Sequence, residues 1–198
     1  MRLRIILAAL LPLAAGAGWL AWHLLDRGAG LGSSDIIEAP NGHAYRYIAA
    51  PNIRWDEARA AAERQSWHDH QGYLATIDDA AEYQFVVDRL FPTTYPDVTY
   101  LGGRQTAPGE WRWVTGLDGK ADGGKGTLFW RGDEQGTIEG GHYANWMSSA
   151  FQHDGKWAVS YVCCVTLFSY SVPQFSTSLG TGDADEHVAG YIVEFGGE

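Results

Sequence analysis

The sequence predicts an α+β domain behind an apolar N-terminal segment. Two stretches of helical periodicity lie before Leu90, and after Val98 the pattern changes to short β-like runs broken by Gly, Asp and Asn. The 25 Gly and nine Trp suit a loop-rich fold with aromatic anchors better than a helical bundle. A chain of 198 residues allows one domain plus an appendage.

The N-terminus opens Met1-Arg2-Leu3-Arg4 and then runs almost wholly apolar from Ile5 to Leu25. At about 1.5 Å per residue that run reaches roughly 30 Å, enough to cross the hydrocarbon of a bilayer. Trp19 and Trp22 lie near its outer end, and Arg2 and Arg4 should hold the N-terminus in the cytoplasm. Ala15-Gly16-Ala17 also offers a signal-peptide cleavage site, so residues 1–26 read as a signal anchor or a signal peptide. Residues 27–39 are a Gly- and Ser-bearing linker, and 40–198 form the domain. The expected location is an inner membrane, facing the periplasm or cell exterior, or a secreted state if the segment is cleaved.

Within the domain, His43 to Ile48 reads as a strand with Tyr45 and Tyr47 on one face. Trp55, Ala58 and Ala62 recur at i, i+3 and i+7, one stripe of a first helix. Asp79 with Glu82 three residues later is a capping-box-like start for a second, which carries Tyr83, Val86, Val87 and Leu90 inward. Tyr100-Leu101, Trp111 to Val114, Val159 to Phe168 and Tyr191 to Phe195 are the strand candidates. Thr115 to Ala150 has little periodicity and many Gly, and reads as one long loop.

The formal net charge of −10 disfavours nucleic acid and suits cations or neutral glycans. Catalytic signatures are missing: no Gly-x-Ser-x-Gly elbow, phosphate-binding loop or His-Glu-x-x-His occurs, so no enzyme is expected. Trp67-His68-Asp69-His70 would chelate a metal only with a third ligand from elsewhere, and reads as a hydrated surface turn. Arg131-Gly132-Asp133 spells an integrin-recognition tripeptide, a match common by chance.

Six signatures follow in order: Trp55-Asp56-Glu57-Ala58, Gly72-Tyr73-Leu74-Ala75-Thr76-Ile77, Tyr100-Leu101-Gly102-Gly103, Trp111-Arg112-Trp113-Val114, Tyr143-Ala144-Asn145-Trp146 and Gly190-Tyr191-Ile192-Val193-Glu194. Their order resembles the C-type lectin-like domain, and the closing Tyr-Ile-Val-Glu-Phe-Gly-Gly looks like its bacterial form. The resemblance implies a C-type lectin-like fold: two helices flanking small antiparallel sheets, with a long loop region that carries the ligand site. It also implies core positions for Trp111, Trp113 and Trp146.

Departures from the family pattern are specific. Ala62 and Val193 stand where the family places a disulfide, so an apolar contact is expected there instead. Cys163 and Cys164 are adjacent, which disfavours a bond between them, and read as free buried thiols. Gln152-His153-Asp154 imitates the family's Gln-Pro-Asp calcium motif without its proline. Asp183, Asp185 and Glu186 form an acidic cluster that would hold a cation in another arrangement, or simply be a solvated loop. No cofactor is required on this reading, and Ca²⁺ is the ion those oxygens would suit.

The resemblance suggests a glycan ligand. The ligand-binding candidates are Trp130, Tyr143 and Trp157, whose aromatic faces can stack on a sugar or a partner side chain, with Gln152 and Asp154. The alternative is a metal-independent protein–protein interaction or adhesion module on the same scaffold.

Overall fold

A computed structural model describes residues 32–196, apart from 94, 95, 97, 134, 149, 151–163, 169–173 and 179–186. Among the described residues no helix is long and apolar enough to cross a membrane, and the 5–25 segment lies outside them.

The elements in order are β1 (Ile37–Glu38), β2 (Ala44–Ala49), α1 (Trp55–Ala62), β3 (Ser66–Trp67), β4 (His70–Leu74), α2 (Ala80–Leu90), β5 (Val98–Ala107) and β6 (Glu110–Trp113). After the 3-10 turn Asp118–Lys120 and the short turn Ala121–Gly124 come β7 (Thr127–Arg131), β8 (Thr137–Ile138), β9 (Cys164–Phe168), β10 (Gln174–Ser178) and β11 (Val188–Phe195). The α+β expectation is met, with both helices in the first half.

Each helix forms for the reason its sequence gives. In α1 the stripe Trp55, Ala58 and Ala62 is buried while Asp56 and Glu57 face out in the first turn, where they complement the helix dipole. Trp55 anchors this helix: its indole N–H donates to the Leu101 carbonyl at 2.8 Å. Asp79 caps α2 by accepting from the Glu82 N–H at 2.8 Å, and Tyr83, Val86, Val87 and Leu90 are buried. The capping box is only half formed, because the Glu82 side chain is drawn away into the core.

The sheet runs β1-β2-β11-β5-β6-β7-β8, with β9 carrying β10 on β5 and β4 joining β11 to β3. Pairings are antiparallel except β11 with β5, where Val188, Gly190 and Tyr191 lie opposite Val98, Thr99 and Tyr100. The last strand is thus the hub: its first half pairs with β5, its second half with β4, and its length with β2. Residues read as the end of the linker dock on this edge, with β1 pairing β2 and the Ser34 N–H donating to the Tyr47 carbonyl at 2.9 Å.

Two cores flank the sheet. The larger gathers Tyr45, Tyr47, Ile77, the α2 face, Trp111, Trp113, Phe129 and Phe175; the smaller holds Trp55, Ala58, Ala62, Leu74, Tyr100, Val193 and Phe195. Ala62 and Val193 are both fully buried in the smaller core. Cys163 and the Cys164 side chain lie outside the described residues.

One close approach fixes how the sheet meets the loop region. A Cβ at Gly102 would stand 1.9 Å from Thr115 Oγ1 and 2.6 Å from the Leu74 carbonyl oxygen. That absence of a side chain lets Thr115 Oγ1 donate to Leu74 O at 2.6 Å and clamp the exit of β6 onto β4.

Candidate functional site

The stretch from Thr115 to Ala150, read as an irregular loop, contains a strand pair. Thr127–Arg131 pairs with β6, and Thr137–Ile138 pairs back on Trp130 and Arg131. Phe129 points inward and is fully buried, while Trp130 on the opposite face of β7 is half-buried. The sequence conceals this pair because it is short and flanked by Gly on both sides.

The segment after β8 returns across the larger core and is pinned at several points. Tyr143 N–H donates to Asp78 O at 3.2 Å, Phe175 N–H to Asn145 O at 2.8 Å, and Met147 N–H to Phe175 O at 2.9 Å. Further on, the Thr177 hydroxyl donates to Ala150 O at 2.6 Å. Ladder-like bonds to β10 therefore hold residues 145–147 in one place.

These pins create a depression of about 450 Å³, lined among the described residues by Trp130, Gln135, Ala144, Asn145, Trp146, Met147 and Ser148. Its walls are indole rings and its rim is amide and hydroxyl, with no ionisable side chain among the described residues. Trp130 is held as a wall: its indole N–H donates to Asp133 O at 3.2 Å, and its ring lies 6.3 Å from that of Trp146. Trp146, expected in the core, is half-buried; it contacts Trp111 edge-on at 5.3 Å and keeps an edge in the depression.

Tyr143 sits elsewhere. Its ring packs 5.4 Å from Tyr83 and 5.9 Å from Phe175, so it braces α2 against β10 and does not line the depression. Gln152, Asp154 and Trp157, with the acidic trio Asp183, Asp185 and Glu186, lie outside the described residues.

The Arg131-Gly132-Asp133 tripeptide has structural work to do. Arg131 pairs with Glu110 at 2.7 Å and Glu139 at 3.4 Å, and the Asp133 carboxylate accepts from the Gln135 N–H at 3.1 Å. His68 and His70 flank the β3–β4 turn, and among the described residues no third ligand joins them.

A buried polar cluster that no sequence motif announces joins β2, β4, α2 and β11. Glu194, 1 % exposed, accepts from His43 Nδ1 at 2.5 Å and the Tyr73 hydroxyl at 2.9 Å on one oxygen. Its other oxygen accepts from the Thr76 N–H at 2.9 Å. Glu82, 9 % exposed, accepts from the Tyr45 hydroxyl and, at 2.6 Å, from the Asp78 N–H. The cluster ties β2, β4, α2 and β11 together.

Its electrostatics follow from burial. Desolvation first, then the Glu194 charge, pushes the Glu82 carboxyl up from 4.5 to about 7. The hydrogen bond to Glu194 holds His43 above its ordinary 6.5 against the opposing effect of burial. Burial likewise raises the Tyr45 and Tyr73 phenols, which stay protonated as donors. His43, Glu82 and Glu194 offer ligand atoms within 4.8 Å of one another, close enough for a cation. Every carboxylate oxygen, however, already accepts from a fixed donor, so the shell is complete with protons alone. The signal in the sequence is a glutamate inside the otherwise apolar run Tyr191-Ile192-Val193-Glu194-Phe195.

Known proteins place this fold. The sea-cucumber C-type lectin CEL-I from Cucumaria echinata superposes with a TM-score of 0.55 at 15% identity, over 83% of this chain and 97% of that one. The mouse scavenger receptor C-type lectin carbohydrate-recognition domain gives 0.51 at 15% identity, over 80% and 93%. The chain has a C-type lectin-like fold. In sequence, 121 residues, 61% of the chain, are 33% identical to halomucin of Haloquadratum walsbyi. The chain spans about 1% of that protein's length. No family model matches the chain.

Proposed function

We propose that this domain is an extracytoplasmic binding module that recognises carbohydrate at the Trp130–Trp146 depression without a metal ion. The observation that carries the reading is the make-up of that depression among the described residues: indole walls, an amide and hydroxyl rim, and no ionisable group. A pyranose presents a C–H face and a ring of neutral hydroxyls, which such a surface matches by stacking and hydrogen bonding. Among the described residues no carboxylate lines the depression, so a hard cation would find there only neutral oxygens and none of the charged ones that usually hold it.

The fold supports the class of function, since the structural neighbours are C-type lectins, one of them a carbohydrate-recognition domain. The extracytoplasmic placement rests on the charged, apolar N-terminal segment and on the likeness to halomucin. Residues 5–25 would tether the domain to a membrane, and any Ca²⁺ held by Asp183, Asp185 and Glu186 would take no part in sugar binding at the indole depression.

A glycan array with and without chelator tests the reading. Neutral-glycan signals that survive EDTA and fall roughly thirtyfold in Trp130→Ala, about 2 kcal/mol for a central aromatic contact, would support it. Silence against every glycan would point to a polypeptide ligand on the same surface.

A further inference from the structure

A second concavity lies away from the indole depression, where the C-terminal end of α1 meets the turn after β6. This cleft of about 310 Å³ is floored by Tyr73 and walled by Arg59, Glu63, Gln71, Leu117 and Lys120, among others. Its form is fixed by close packing. Gly116, at φ +59°, lies so near Tyr73 that a Cβ there would stand 2.4 Å from the ring. The Tyr73 hydroxyl is tethered beneath, to Glu194 at 2.9 Å and to Gly196 O at 3.2 Å.

The charges of the cleft run against those of the chain. Among the described residues two cations and one carboxylate line it, a local excess of one positive charge on a protein of net −10. Arg59 is held in place by a 2.9 Å contact from its Nε to Glu63 and by lying over the Trp55 ring at 6.0 Å. That arrangement uses Nε alone, and among the described residues neither the Arg59 Nη groups nor the Lys120 ammonium has a carboxylate partner. Gln71 is fixed at the wall by its amide, which donates to the Glu63 carbonyl at 2.8 Å. Leu117 is 49% exposed at the lip, one of two large apolar side chains so exposed among the described residues.

We propose that this cleft is a second saccharide site, selective for a hexuronate residue. A planar carboxylate matches the free Nη pair of Arg59 and the ammonium of Lys120. The Glu63 carboxylate that shares the lining would repel a dianionic phosphate more strongly than a monoanion, yet it accepts readily from sugar hydroxyls, as does the Gln71 amide oxygen. The apolar Leu117 and the Tyr73 edge meet the C–H side of the ring. The ligand that answers all of these is a monoanion rich in hydroxyls. This inference rests on the glycan-binding reading for its class of ligand but uses different residues, so the domain would hold an acidic glycan at one point and a neutral unit at another.

The test is calorimetric titration of the intact domain with oligogalacturonate and with the same oligomer methyl-esterified, which removes the charge and keeps the sugar. The proposal expects the acid form to bind at least about tenfold more tightly than the ester, and the preference to shrink with added salt. Lys120→Glu and, separately, Arg59→Gln should each weaken acid binding by about tenfold or more, with neutral-glycan binding and melting temperature unchanged for Lys120→Glu. Trp130→Ala should leave oligogalacturonate binding intact. Equal affinity for acid and ester, or undiminished acid binding by a folded Lys120→Glu, would overturn the proposal. Acid binding lost only in Trp130→Ala would also overturn it, while keeping the indole depression as a glycan site. Acid binding retained alongside silence toward neutral glycans would instead sink the assignment of the indole depression.

Discussion

Glu194→Gln is the substitution that reads the buried polar cluster most directly. Glutamine keeps the shape of the side chain but turns one acceptor oxygen into an amide donor. Whichever way the amide lies, it faces a donor: the Tyr73 hydroxyl and His43 Nδ1 on one side, or the Thr76 N–H on the other. A hydrogen bond to a charged group contributes about 1.5–3 kcal/mol, and a buried donor left without an acceptor costs about 1–3 kcal/mol. Losing the repulsion between Glu194 and Glu82 offsets part of this, leaving a net cost of about 3 kcal/mol. In a domain of this size that lowers the melting temperature by roughly 6–12 °C. Thermal unfolding followed by circular dichroism, with urea titration at neutral pH, measures it. The substitution also removes the second-largest cause of the raised Glu82 carboxyl, so the stability–pH curve of the variant should be flatter than that of the natural protein. A shift under about 2 °C would refute the structural weight given to the cluster. A full loss of stability with an unaltered pH curve would refute the coupling between the two glutamates.

Stability should fall as pH rises from acid toward alkaline. Glu82 is raised in the fold, so its contribution is complete below 4.5 and is lost as pH rises through about 7. His43 is raised too; its contribution is complete below 6.5 and is lost as pH rises through its higher folded value. The melting temperature should therefore be higher near about pH 5.5 than near about pH 8.5, and His43→Gln should narrow the gap; a protein more stable at the alkaline end contradicts both signs. Gly102→Ala should cost about 1–3 kcal/mol, because the new methyl group meets Thr115 Oγ1 and the Leu74 carbonyl; a variant with wild-type urea midpoint would show that the β4–β6 clamp gives way without cost.

The sequence reveals what is local. The Trp55, Ala58, Ala62 stripe and the Asp79 cap depend on neighbours within two turns, and both helices form where their periodicity places them. Tyr45 and Tyr47 bury one face of β2 by the same two-residue logic. What it conceals is assembled at long range. The His43–Glu194 contact joins residues 151 apart, so no window of sequence contains it. Strand β10 carries a legible alternation, with Phe175 and Thr177 buried, yet its surroundings offer no second pattern to anchor it. Trp146 shows a further limit: its motif marks it for the core, and the fold leaves one edge in a depression because Trp130 and residues 145–147 are pinned just beyond it.

The lining of the indole depression is legible in part. Trp130 stands out in the sequence by lying inside the long loop, and it forms one wall of that depression. Asn145, Met147 and Ser148 carry no signature of their own and become neighbours only through the bonds to β10.

The most direct test of the account is titration of the domain with the best neutral glycan from an array, in EDTA and in Ca²⁺, for the natural chain and Trp130→Ala. The account predicts equal affinity in both media and a loss of roughly thirtyfold in the variant, measured where circular dichroism shows it still folded. Binding abolished by EDTA, or binding unchanged in a folded Trp130→Ala, would contradict it.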